Sequence, residues 1–132
     1  VNLDPSTGWR FEDGLGDYGD GSVAGITVSH ALMYLPLSLW PAAFAECARV
    51  LEPGGILRVT EDNTEDPESE RHGGWHDAIT LTGPTVVREH MKQAGLKPRK
   101  QAADTSGFAD KSLCQHWHGD EPKVFFLEGR KP

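Results

Sequence analysis

Apolar and polar positions alternate along this chain in blocks that switch period. The short run Val1-Asn2-Leu3 is closed by Asp4 and Pro5 and reads as the end of a strand. Residues 6–22 are rich in Gly and Asp and predict mostly loop, with a short strand near Arg10–Glu12. "VAGITVS", residues 23–29, is β-branched and apolar on both faces, the pattern of a central parallel strand. Residues 30–37, "HALMYLPL", connect it to a helix that Ser38 is placed to cap. In that helix Trp40, Phe44, Cys47 and Leu51 fall at i, i+4, i+7 and i+11 and form one apolar stripe, with Glu46 and Arg49 off it.

Glu52-Pro53-Gly54-Gly55 has Pro second and Gly third, the order of a type II turn, and "ILRVTE", residues 56–61, is the strand that follows. A long polar loop runs over 61–77, and its acids, Glu61 to Glu70, read as a solvated surface. Thr82-Gly83-Pro84 opens a second helix whose inward face is Val87, Met91 and Ala94, and Gly95 ends it. "LKPRKQAAD" predicts an edge strand, "SLCQHWHGDEP" a loop or strand, and Val124–Leu127 a closing strand. Strands alternating with helices predict an α/β fold, a Rossmann-like open and mostly parallel sheet with an antiparallel C-terminal strand. Ligands of such sheets bind beyond the carboxyl ends of the strands.

Size and charge narrow the function. With 132 residues and an apolar fraction of 37%, the chain suits one domain with one core, residues 1–132. A formal net charge of −7 disfavours nucleic acid as a partner. The uncharged stretch from Ile26 to Ala45 has the length of a membrane span, but Ser29, His30, Pro36 and Pro41 interrupt it, and it reads as strand, loop and helix. Cys47 and Cys114 form no CxxC pair, no basic-then-apolar leader opens the sequence, and a reducing, cytoplasmic setting is expected. Cys114, His116 and His118 would share one face of a strand, but a fourth ligand and a known finger spacing are both lacking, so no metal is expected.

The stretch from Asp20 to Asp62, "DGSVAGITVSHALMYLPLSLWPAAFAECARVLEPGGILRVTED", resembles the second half of a class I S-adenosylmethionine-dependent methyltransferase of the type 11 group. Relatives carry "RVLKPGG" and then "ILRI" where this chain has "RVLEPGGILRV", Arg49 to Val59. The resemblance makes residues 56–61 the family's fifth strand, 23–29 its fourth and "VNLD" its second. It implies S-adenosylmethionine as cofactor and methyl transfer to a small-molecule or protein acceptor. Asp4 then matches the acid that holds the ribose hydroxyls. Asp13 matches the acid near the adenine amino group, with Gly14 offering its backbone to the ring. Ser29 and His30 line the cofactor, and His30 and Tyr34 lie on the segment that meets the acceptor. His72, Trp75 and His76 lie on the loop that often forms the acceptor pocket. Trp75 suits stacking on a planar or cationic group, and His30 and His76 suit proton acceptance. Gly54 and Gly55 carry no chemistry.

Three departures go with the resemblance. Ala24-Gly25 stands where relatives often have Asp-Glu or Asp-Leu, and Leu32-Met33-Tyr34 where many have Leu-Glu-His. No glycine-rich GxGxG motif precedes Val1, and Gly14–Gly19 follows the wrong strand. The family's first strand lies between its second and fourth, so a gap is expected at the centre of the sheet. An N-terminal segment missing from the sequence explains this. The alternative is a catalytically silent methyltransferase-like module that acts through protein–protein binding.

Overall fold

A computed structural model describes residues 2–3, 15–29, 31–32, 35–62, 83–99, 117–118, 121–122 and 124–132. The elements are β1 (Asn2–Leu3), β2 (Val23–Ser29), α1 (Trp40–Val50), β3 (Leu51–Asp62), α2 (Pro84–Gln93), β4 (Lys97–Pro98), β5 (Trp117–His118), β6 (Glu121–Pro122) and β7 (Val124–Arg130). Among the described residues, five strands form one sheet in the order β1-β2-β3-β7-β4. The β1–β2 and β2–β3 pairs are parallel, and β7 is antiparallel to both β3 and β4. The α/β reading therefore holds, including the antiparallel C-terminal strand and the edge position of β4. Pro98 sits in that edge strand, where its missing N–H breaks no inner ladder. β5 and β6 form a separate two-stranded ladder.

The pleat sorts side chains by face. Ile26, Val28, Leu57, Val59 and Leu127 are buried, and register pairs Ile26 with Leu57, Val28 with Val59, and Val59 with Leu127. Both helices cover this face: α1 lies against β3 and α2, and α2 lies against β7 and β4. Trp40, Phe44, Cys47 and Val50 of α1 and Val87 and Met91 of α2 complete the core. Burial pushes the Cys47 thiol up to about 12 from an ordinary value near 9, with a smaller contribution from the Glu46 charge. A group raised in this way contributes its stability below about pH 9 and loses it progressively as the pH climbs toward 12. Cys47 in a Cys114→Ser background should therefore resist iodoacetamide at pH 8 while the protein is folded and react on addition of denaturant. Mass spectrometry of the labelled chain checks this; rapid labelling without denaturant contradicts it.

Several expectations change. The sequence predicts β2 apolar on both faces, yet Thr27 and Ser29 are only half-buried. Their face continues across the sheet as Arg58 and Glu128, where Arg58 Nη2 donates to Glu128 Oε1 at 2.7 Å. Arg58 is half-exposed, so that pair contributes little. Ser38 does not cap α1. A 3-10 turn, Leu37–Leu39, leads into the helix, Leu39 holds the cap position without a side-chain bond, and Pro41 stands in the first turn, where no N–H partner is needed. β3 begins at Leu51 rather than Ile56, with a register shift between Val23 and Gly25 that absorbs the Pro-Gly-Gly turn. β7 runs on to Arg130, beyond the expected Leu127. The expected central gap is closed: Asn2 and Leu3 of β1 pair directly with Thr27 and Val28 of β2.

α2 matches its sequence signals closely. Pro84 opens it and Gly95, at φ +84°, follows its cap. Gly95 N–H donates to Lys92 O at 3.0 Å and Leu96 N–H to Met91 O at 2.9 Å, which together make a Schellman motif. Ala94, expected to face inward, is half-buried.

Candidate functional site

The carboxyl ends of β2 and β3 and the segment that leaves β2 form the described part of the site. Ser29, half-buried, ends β2 beside its register partner Thr60. Of the residues assigned to cofactor or acceptor, Ser29 alone lies among those described. Asp4, Asp13, Gly14, His30, Tyr34, His72, Trp75 and His76 lie outside them, as do the Arg10–Glu12 strand, Cys114 and His116. Among the described residues, no group of three or more His, Cys, Asp or Glu side chains is arranged to hold a metal ion.

The structure adds a residue that the sequence pattern assigns to a solvated surface. Glu61 is 0% exposed. It continues the inward-facing series Leu57, Val59, Glu61 on β3, so strand alternation carries an acid into the core face. Its Oε1 accepts the backbone N–H of Ala31 at 2.8 Å and that of Leu32 at 2.7 Å. The alternation was the available signal: an acid in phase with two buried residues of a strand has a partner when it is buried.

A second anchor holds the same segment from the other side. Trp40 at the start of α1 donates its indole N–H to Leu35 O at 3.0 Å. Leu35 N–H in turn reaches Leu32 O at 3.0 Å. The Trp40 ring packs on Phe44, with centroids 6.1 Å apart, and edge-on to His90 of α2, 5.2 Å away. His90 Nδ1 donates to Val86 O at 2.8 Å, which fixes the imidazole against its own helix.

Arg49, the first residue of the "RVLEPGG" run, holds the loop over residues 15–21. Its Nη1 donates to Asp20 Oδ1 at 2.7 Å and Tyr18 O at 3.1 Å, and its Nη2 to Glu46 Oε2 at 2.8 Å and Leu15 O at 3.2 Å. The bonds from Arg49 hold the Glu46 carboxyl below its usual range, against an opposing effect of burial. Arg49 O also accepts Gly21 N–H at 2.9 Å. Only a guanidinium fork offers donors in so many directions. The segment so fixed begins immediately after Asp13 and Gly14.

Residues 10–59 match the profile of the methyltransferase-domain family, type 11. Among solved structures, a putative methyltransferase from Haloferax volcanii in complex with the Trm112 activator shares 19% identity and a TM-score of 0.62 over 93% of this chain. A SAM-dependent methyltransferase from Archaeoglobus fulgidus shares 10% identity and a TM-score of 0.68 over 92%. A phosphoethanolamine N-methyltransferase from Haemonchus contortus, solved with S-adenosylhomocysteine, shares 15% identity and a TM-score of 0.57 over 87%. The chain spans 59%, 64% and 34% of those three chains, less than two thirds of each. No curated protein matches the sequence. The chain thus shares the fold of these solved methyltransferases, and residues 10–59 resemble the methyltransferase-domain family. No helix among the described residues is long and apolar enough to cross a membrane.

Proposed function

We propose that the chain binds S-adenosylmethionine beyond the carboxyl ends of its parallel strands and supports methyl transfer to a small-molecule or protein acceptor. The observation that carries this reading is the sheet itself: parallel β1-β2-β3, then antiparallel β7 inserted before β4, in a chain whose residues 10–59 match the methyltransferase profile. The donor set suits the cofactor. Ser29 brings a hydroxyl to the strand ends, and the backbone after it is held in place by Glu61 and Trp40. In this reading Asp4 holds the ribose hydroxyls, Asp13 and Gly14 hold the adenine, and Ser29 and His30 line the cofactor.

When bound, S-adenosylmethionine supplies a methyl group on a sulfonium, whose departure leaves a neutral thioether. The protein's share is alignment of the acceptor and exclusion of water. A proton acceptor is needed only where the acceptor atom carries a proton, and His30 or His76 is assigned that role. Tyr34, His72 and Trp75 are assigned to the acceptor pocket. The formal charge of −7 favours a small molecule or protein over nucleic acid as acceptor.

One comparison favours a second reading. The Haloferax neighbour is a putative methyltransferase in complex with a methyltransferase activator, and a silent module that acts by binding another protein would use the same fold. Melting curves with S-adenosylmethionine and S-adenosylhomocysteine separate the two. A ligand at about 100 times its Kd stabilises the folded state by about 2.7 kcal/mol, so an upward Tm shift of roughly 5 °C or more is expected. An unchanged Tm with both ligands at millimolar concentration favours the silent module.

A further inference from the structure

The acid at the end of β3 is in an unusual place for a charge. A carboxylate taken wholly out of water is costly unless hydrogen-bond donors surround it. An apolar residue after Leu57 and Val59 would close the buried face of the strand at lower cost. This chain instead carries Glu61 there, fully buried, and turns its Oε1 onto two consecutive backbone N–H groups, those of Ala31 and Leu32. Those amides lie beyond the last β2–β3 register pair, Ser29 with Thr60, and before the helix that starts at Trp40. Backbone groups at such a junction need a partner from elsewhere in the chain.

The consequence falls on the neighbours. His30 is flanked by Ser29, fixed in the sheet, and by Ala31, fixed by the carboxylate. Met33 and Tyr34 are flanked by Leu32, fixed by the same oxygen, and by Leu35, fixed by the Trp40 indole. We propose that Glu61 is a positioning residue: it sets the backbone at Ala31 and Leu32, between Ser29 and Leu35, for the binding of cofactor and acceptor, and touches neither itself. What the segment meets rests on the methyltransferase reading; the clamp rests on the geometry alone.

The test uses the whole chain as wild type, E61Q and E61L, with amide exchange at Ala31 and Leu32 and calorimetric titration with S-adenosylhomocysteine. The amide side chain of the E61Q variant keeps an Oε1 that can accept both bonds, whereas the aliphatic side chain of E61L can accept neither. In folded E61L, exchange at the two amides should quicken at least about tenfold, since two buried donors lose a charge-assisted partner. Amides within β2 and β3 should be unaffected, and affinity for S-adenosylhomocysteine should fall about tenfold or more. E61Q should restore both readouts to within about threefold of wild type, because the bonds persist without their charge. If E61L does not fold, E61D, one methylene shorter, takes its place with the same expectation. Wild-type exchange and affinity in folded E61L or E61D overturn the proposal, as does E61Q that is as impaired as E61L. Wild type that binds no S-adenosylhomocysteine, with amides that respond as expected, removes the methyltransferase reading and leaves the clamp standing. Unchanged amides remove the clamp whatever the wild type binds.

Discussion

Replacing Trp40 with alanine should destabilise the protein by about 3–5 kcal/mol, the usual cost of truncating a buried aromatic residue. Trp40 is 0% exposed and is the largest fully buried side chain among the described residues. It joins three parts of the structure: its ring meets Phe44 on its own helix and His90 on α2, and its N–H holds Leu35. Truncation therefore opens a cavity where α1 meets α2 and also releases one end of the segment that leaves β2. A Tm lower by roughly 10–20 °C is expected from that loss in a domain of this size. Trp40→Phe separates the two effects, since it keeps most of the ring packing and removes only the N–H. Its cost should be smaller, about 1–3 kcal/mol, with quickened exchange confined to the Leu35 region. Urea unfolding of both variants checks this; a Trp40→Ala variant within about 1 kcal/mol of wild type, roughly the size of a surface change, would show that the contact between the helices carries little of the fold.

Gly55→Ala is the second large effect. A Cβ at Gly55 would lie 2.9 Å from Glu52 O, 3.0 Å from Leu51 Cδ2 and 3.1 Å from Ala24 O. Two of those three atoms are backbone, so relief requires the turn to shift against β2. The turn is also tied to the far end of the chain. Gly54 N–H donates to Lys131 O at 2.8 Å, Lys131 N–H donates to Gly55 O at 2.9 Å, and Lys131 Nζ donates to Leu51 O at 2.6 Å. A displaced turn strains all three bonds, and overpacking of this kind costs about 1–3 kcal/mol. Gly54 adds its own constraint at φ +84°, a conformation that L residues rarely adopt. The "PGG" of the family resemblance is thus a structural requirement. It allows β3 to bulge and lets Lys131, just past β7, lock the bulge. A Gly55→Ala variant that melts with wild type contradicts this account.

Local features are legible in the sequence and long-range ones are not. The bounds of β2, the inward face of α1, the Pro84 start and Gly95 stop of α2 and the edge position of β4 all follow from periodicity and from residues with fixed backbone preferences. Ser38 misleads because a cap preference is weak beside Pro36 and Pro41, which favour a 3-10 entry to the helix without a side-chain cap. The direct pairing of β1 with β2 involves residues more than twenty positions apart, and nothing in "VNLD" specifies that neighbour. Glu61 reads with the acids that follow it, although its phase on the strand places it with Leu57 and Val59. Its partners, Ala31 and Leu32, are 30 and 29 residues away, and the Lys131 bond to Leu51 spans 80. In the candidate site, the resemblance supplies the assignments, and the described structure supplies the frame around Ser29, Ala31 and Leu32: a strand end, a buried carboxylate and an indole.

Under the proposed function that frame serves the binding of S-adenosylmethionine. Calorimetric titration of the protein with S-adenosylhomocysteine tests it most directly, beside a titration of Asp4→Ala. The expected result is one-to-one binding in the micromolar range, about −8 kcal/mol, weakened at least about tenfold in Asp4→Ala through loss of charge-assisted bonds to the ribose. No heat of binding up to millimolar ligand, from protein shown to be folded, would contradict it.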